Sequence, residues 1–365
     1  MVEIHTQKLW GDRWLEYHIR QRPVFACILG FTETALVPGI SAAGLTAADR
    51  LRTAIADAEV LTYGFAPFSP LPSLGGGISP AVLTHGILSR LAVSIWLLNA
   101  GLPLVPSVPV VNLGGRSPAC VSTGQALSGG MVRLLWQQGW RWGELLAPRG
   151  AYLILSECVV GGTTTAQAVL TALGYGAEGM VSSSHRHGNA AQKTALVRLG
   201  LRHLRSDATP WEVVAAVGDP MQVVVTAMAL AASHHSGVLL AGGSQMVAVY
   251  ALARAWAAAE GWPWHPQRMA IATTPWVIHD PAAAVVTLAQ LCHCPPLLSG
   301  RYGLHGATSP ELAAYAAGYV KEGVGLGSAL VLAAGYAQWS ERQLLSVLEG
   351  SIHRHQYQMT QAGKS

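Results

Sequence analysis

Charge is scarce in this chain. Asp, Glu, Lys and Arg make up 12% of 365 residues, against 51% hydrophobic residues. That is about half the usual charged share, so many elements must be buried on both faces. Lysine occurs only at Lys8, Lys193, Lys321 and Lys364, and the formal net charge of +4 comes almost wholly from arginines spread along the sequence. No basic block or interleaved aromatic pattern stands out, which argues against a nucleic-acid partner. The five cysteines (Cys27, Cys120, Cys158, Cys292, Cys294) are few and scattered, as expected of a reducing cytoplasm. The N-terminus, with Glu3, Lys8, Asp12, Arg13 and Glu16, shows no secretory signal.

Unbroken apolar runs of membrane length are missing too. Pro220 to Tyr250 carries no charge, but Ser233–Gly237 and Gly242–Gln245 interrupt it. Leu91 to Gly115 is cut by Pro103, Pro106 and Pro109. A bilayer helix needs about 20 consecutive, predominantly apolar residues, so no membrane partner is expected. Several chemical signatures are also absent. There is no Gly-x-Ser-x-Gly elbow, no Gly-x-Gly-x-x-Gly after an early strand and no P-loop lysine, which disfavours a hydrolase or a dehydrogenase. His185 with His187, His234-His235 and Cys292-His293-Cys294 lack the spacing of a tetrahedral zinc site. Neither a metal nor a cofactor is expected. The twelve tryptophans are expected mainly in the core and at interfaces.

What is present is an alternation. Short β-branched runs end in small or polar residues at 24–29, 108–113, 151–156, 179–182, 237–241 and 269–273. Alanine- and leucine-rich stretches at 126–138, 166–173, 192–201 and 246–259 read as helices, as does 81–99 after a flexible loop at 74–80. Strand-then-helix order predicts an α/β fold: three layers, doubly wound, a mainly parallel sheet with helices on both faces. One domain over 1–365 is expected, with an α/β core at about 24–306. Residues 1–23 and 307–365 are expected to add a small helical subdomain. Ligands in such sheets sit beyond the carboxyl ends of the strands. The polar endings 112–115, 157–165, 182–184, 242–245 and 273–274 are therefore expected along one rim.

Two loops carry candidate chemistry. In Glu157-Cys158-Val159-Val160-Gly161-Gly162-Thr163-Thr164-Thr165, glycines and hydroxyls follow an apolar run and precede a helix. Backbone N–H groups and threonine hydroxyls there suit an anion. The carboxylate of Glu157 adds a partner for a ribose, although a tight strand-to-helix turn also fits the pattern. In Lys321-Glu322-Gly323-Val324-Gly325-Leu326-Gly327, one carboxylate precedes alternating glycines. It reads either as a turn with a solvated Lys-Glu pair or as a general base tuned by burial. Lys193 suits a phosphate, or equally a solvated helix start.

At these two loops the chain resembles the nicotinate-nucleotide–dimethylbenzimidazole phosphoribosyltransferases of cobamide lower-ligand synthesis, and more closely their divergent cyanobacterial and archaeal branch. The family's Glu-Met-Gly-Ile-Gly-Asn-Thr-Thr is similar to Glu157 through Thr164, and its Gly-Glu-Gly-Thr-Gly-Ala to Lys321 through Leu326. Lys193 falls at the family's phosphate-contacting lysine, and Gly242-Gly243-Ser244 at its Asp-Gly-Phe. The chain departs at Val159 for glycine, Gly162 for asparagine, Val324 for threonine and Gly242 for aspartate.

The resemblance implies transfer of phosphoribosyl from nicotinate mononucleotide to a benzimidazole- or purine-type base, giving an α-ribotide and nicotinate. It implies Glu322 as the base. Glu157, Gly161, Gly162, Thr163, Thr164, Lys193, Gly242, Gly243 and Ser244 would bind ribose and phosphate. Ser79, Thr84, His85 and Ser299 would lie at the base pocket. A homodimer without a cofactor is implied. A non-catalytic nucleotide- or base-binding homologue and a nucleosidase are the alternatives.

Overall fold

The computed structural model describes residues 1–72, 77–185 and 188–362. Part of the glycine loop at 74–80, together with Arg186, His187 and Lys364, lies outside the described residues.

The apolar runs become strands: β1 Val2–Ile4, β2 Val24–Phe31, β3 Ile95–Gly101, β4 Val111–Asn112, β5 Tyr152–Val160, β6 Gly237–Ala241, β7 Met269–Thr273 and β8 Leu297–Gly300. They form one sheet in the order β1-β8-β7-β6-β5-β2-β3-β4. All neighbours pair in parallel except β1, which runs antiparallel to β8. Every residue of β2, β5, β6 and β7 is buried. A strand covered on both faces needs no polar face, which accounts for the scarcity of charge.

Alternation along the strands divides the core into two layers. Ala26, Ile28, Leu153 and Leu155 face helices 129–146, 162–172, 220–233 and 244–260. Phe25, Cys27, Leu29, Tyr152 and Ile154 face helices 47–63, 80–90, 326–335 and 341–362. Trp136 anchors the first layer, with Trp256 and Trp262 at ring-centroid distances of 4.5 and 4.9 Å. No helix among the described residues is long and apolar enough to cross a membrane.

Several local expectations change. The stretch 81–99 is not one helix: Pro80–Arg90 is helical, the chain turns at Ala92 (φ 51°), and β3 follows. Uniform apolarity cannot separate a buried helix from a buried strand. Residues 179–182 form no strand; they follow a turn in which the Met180 N–H bonds the Ala177 carbonyl. β5 runs past Ser156 to Val160, because Ile28 to Phe31 of β2 continue to pair with it. Helix 326–335, within the stretch assigned to a helical subdomain, instead lies buried against β6, β7 and β8.

Strands β2 to β4 build outward in one direction and β5 to β8 in the other. The winding reverses between β2 and β5, and the carboxyl end of that junction is where such sheets bind ligands.

Candidate active site

A cavity of about 450 Å³ opens at that junction. Its walls come from residues 39–45, the start of helix 47–63, the end of β5 with 161–163, residues 182–185, residues 243–245 and the loop 319–324. Three of the five polar strand endings thus supply the rim. Residues 273–274 take part through Glu322 rather than by lining it. Residues 112–115 do not take part, because β4 is the sheet edge, two strands beyond the switch.

The two glycine loops meet. The Val324 N–H donates to the Glu157 carbonyl at 3.1 Å, and both Glu157 and Glu322 line the cavity. The loop around Glu322 is strained: Val320, Lys321 and Val324 have φ of 64°, 52° and 52°. Left-handed backbone is costly for such side chains and clusters at functional sites when surrounding contacts hold it. Here the holding contacts are visible. Glu322 Oε1 accepts from the Gly323 and Gly327 N–H groups at 3.2 and 3.0 Å. Its Oε2 accepts from Thr273 Oγ1 at 2.9 Å and the Thr274 N–H at 2.7 Å. Gly327 permits this approach, since a Cβ there would stand 2.4 Å from the Thr273 backbone and 2.7 Å from Glu322 Oε2. Burial raises the Glu322 carboxyl above its usual range, while these four donors pull the other way.

Glu157, at 4% exposure, is held more loosely. Its Oε2 accepts from the Val159 N–H at 3.0 Å. Burial pushes its pKa up to about 8; the Glu322 charge adds to the rise, and donors from Val159 and Gln245 moderate it.

Neither Lys193 nor Lys321 is solvated. Lys321 is buried and ion-paired with Asp280, Nζ to Oδ2 at 2.7 Å. Asp280→Asn would strand this cation, and breaking a buried pair costs about 3–5 kcal/mol. A denaturant melt should show that loss, and an unchanged midpoint would contradict the pairing. Lys193 is also buried and donates to the Ser182 carbonyl at 2.7 Å. Burial, with the nearby Lys321 charge, pushes its pKa down to about 7. It therefore stands behind segment 182–185, supporting the wall rather than forming it.

Of the other residues singled out from sequence, Gly161, Gly162, Thr163, Gly243, Ser244 and Ser79 line the cavity. Thr164 is buried inside its helix, with no partner for its hydroxyl among the described residues. Gly242 is not in the wall but backs Glu157, with a Cβ position 3.6 Å from the Glu157 Cγ. Three base-pocket candidates are elsewhere. Thr84 is buried within helix 80–90, His85 Nδ1 bonds the Leu61 carbonyl, and Ser299 Oγ bonds His5 Nε2 on β8. Their packing turns them away from the cavity.

Two charged wall residues escaped the sequence reading, whereas Gln245 lies in the 242–245 ending expected on the rim. Asp57 is buried in an alanine-rich helix, accepting from Ser79 Oγ at 2.5 Å and Cys158 Sγ at 3.5 Å. Burial pushes it up to about 6. The run Ala54 to Val60 is apolar except for Asp57 and Glu59, and that pair of carboxylates was the available signal. Arg50 ties the 39–45 segment by donating to the Gly44 carbonyl at 3.1 Å. Gln245 follows the glycines before helix 244–260.

Comparison with known proteins bears on the family and the fold. Residues 99–271 match the family model described as phosphoribosyltransferase. A UPF0284 protein of Cyanothece sp. is 48% identical over 360 residues, covering 97% of this chain and 98% of the relative. One from Synechocystis sp. is 49% identical over 358 residues, covering 97% of each chain. Among solved structures, the nicotinate-nucleotide–dimethylbenzimidazole phosphoribosyltransferase of Thermus thermophilus shares the fold at a TM-score of 0.60 and 16% identity, covering 90% of this chain and 83% of that one.

Proposed function

The chain belongs to the UPF0284 family and carries a phosphoribosyltransferase segment; from that premise we propose that it moves phosphoribosyl from nicotinate mononucleotide to a benzimidazole- or purine-type base. The observation carrying this reading is the meeting of Glu157 and Glu322 on one cavity wall through the Val324–Glu157 hydrogen bond. In the reaction the bond from ribose C1′ to the nicotinate nitrogen breaks as a bond forms from C1′ to a nitrogen of the acceptor. Nicotinate leaves as a neutral ring nitrogen and needs no proton. The acceptor must lose one, and Glu322 takes it.

The hydrogen bonds of Glu322 bear on that role. Four donors favour the ionised form a base requires, and the Thr273 hydroxyl, free to rotate, is the donor that yields when the proton arrives. Positive charge builds on the ribose as nicotinate leaves, and the Glu322 carboxylate, joined by Glu157 once that charge favours its ionised form, stabilises it. The phosphate fits where the N-termini of helices 162–172 and 244–260 reach the cavity, since their free N–H groups and dipoles favour an anion. Holding the acceptor nitrogen in line with C1′ and the departing nicotinate nitrogen supplies much of the remaining rate.

An acceptor screen tests the proposal. Purified protein is incubated with nicotinate mononucleotide and a panel of benzimidazoles and purines, and products are read by mass spectrometry. Equimolar ribotide and nicotinate are expected with at least one base. Nicotinate released without any acceptor identifies a nucleosidase instead. Tight binding with no release over hours identifies a non-catalytic binder.

A further inference from the structure

Gln245 is the second residue of helix 244–260, is 8% exposed, and lines the same cavity as Glu157 and Gly162. Its amide lies directly over the Gly162 Cα. A Cβ built on Gly162 would stand 1.9 Å from Gln245 Oε1 and 2.7 Å from its Cδ. Any side chain at 162 therefore excludes this placement. From that seat the Gln245 amide lies near enough to the Glu157 carboxyl to favour its ionised form. Its Oε1 is buried and has no hydrogen-bond partner among the described residues. A buried amide oxygen without a donor is rare in a folded protein and calls for a missing partner. Gln245 lines the cavity, so a bound ligand is the candidate for that missing donor.

We infer that Gln245 positions both enzyme and substrate, its amide bridging the Glu157 carboxyl and a hydroxyl of the bound sugar in space that Gly162 leaves open. The inference rests on the phosphoribosyl reading for the identity of the hydroxyl. It does not rest on it for the link to Glu157. An N–H donor to a carboxylate steadies its orientation and its charged form. The other titratable groups facing Glu157 are Glu322 on the C-terminal loop, Asp219 at the start of helix 220–233, and the thiols of Cys27 and Cys158. None of these donates a hydrogen bond to the Glu157 side chain among the described contacts, and the two acids repel its charge. Gln245 and the Val159 N–H are the groups that offset them.

The same space explains a substitution. Position 162 carries asparagine in the resembled loop, and an amide placed from helix 244–260 occupies the room that side chain would need.

The test compares Gln245→Met, Gly162→Asn and the double variant Gly162→Asn/Gln245→Ala with the parent protein. Methionine keeps the length and removes the amide. Two readouts are used: kinetics of nicotinate release, and titration of 13C-labelled Glu157 by NMR in the free protein. For Gln245→Met the inference expects a tenfold or larger rise in KM for nicotinate mononucleotide and titration of Glu157 at higher pH. For Gly162→Asn it expects severe loss, with at least tenfold recovery in the double variant because the clash is relieved. Unchanged KM and unchanged titration in Gln245→Met would overturn the inference while parent turnover leaves the proposed reaction standing. Conversely, a parent that releases no nicotinate, together with a displaced Glu157 titration in Gln245→Met, overturns the reaction and supports the Gln245–Glu157 link.

Discussion

Glu322→Gln is expected to slow nicotinate release by about 10²–10⁴-fold, the range typical of losing a general base. The hydrogen-bond geometry makes this substitution more than the removal of a charge. Each Glu322 oxygen accepts from two donors, Gly323 and Gly327 on one side, Thr273 and Thr274 on the other. A glutamine NH₂ must face one of these pairs whichever way the amide turns. Facing Gly323 and Gly327 it strands two donors; facing Thr273 and Thr274 it strands only the Thr274 N–H, because the hydroxyl can turn to accept, at about 1–3 kcal/mol for each buried group left unsatisfied. The strained segment 320–325 would loosen as well. Glu322→Asp separates the roles, since it keeps the charge but withdraws it by one methylene. If Glu322 only anchors the loop, activity in both variants should follow their melting temperatures. If it is the base, Glu322→Gln stays inactive at temperatures where it is fully folded. Release at the parent rate by folded Glu322→Gln would sink the assignment.

Glu157→Gln is expected to stabilise the protein at alkaline pH while abolishing turnover. Glu157 titrates at about 8 in the fold, against 4.5 for the ordinary carboxyl, chiefly because of burial. A carboxyl with a raised folded pKa contributes stability fully below its unfolded value. That contribution disappears as pH climbs through the folded one. Asp57 and Asp219, each pushed up to about 6 by burial, and the raised Glu322 act in the same direction. The protein should therefore be more stable at pH 5 than at pH 9. Removing Glu157's share should recover roughly 3–5 kcal/mol at pH 9, at about 1.4 kcal/mol per pH unit. Little change is expected at pH 5, where the carboxyl is protonated and resembles an amide. Denaturant melts of parent and variant at both pH values measure this. Equal shifts at the two pH values would contradict it.

Much of this site is legible in the amino-acid sequence. A lone carboxylate beside glycines at the end of an apolar run is a conspicuous pattern in a chain so poor in charge, and it marks both Glu157 and Glu322. The lysines show where such reading stops. Lys193 and Lys321 look alike in sequence to any solvated lysine, yet both are buried. Lys321 finds its acid, Asp280, 41 positions away. Asp57, Arg50 and Gln245 reach the wall from helices, and which face of a helix meets the cavity depends on how it packs. The base-pocket candidates Thr84 and His85 face away from the cavity for the same reason, and Ser299 does so because it pairs with His5 from β8.

By itself, then, the sequence determined the doubly covered parallel sheet, because low charge and continuous apolar runs leave such strands no other stable environment. It also determined that two glycine loops carry carboxylates. Only the tertiary structure decided that these loops touch, that the sheet reverses its winding beside them, and that Gln245 fills the space above Gly162. Those are distances between segments remote along the chain, set by packing, and local composition carries no record of them.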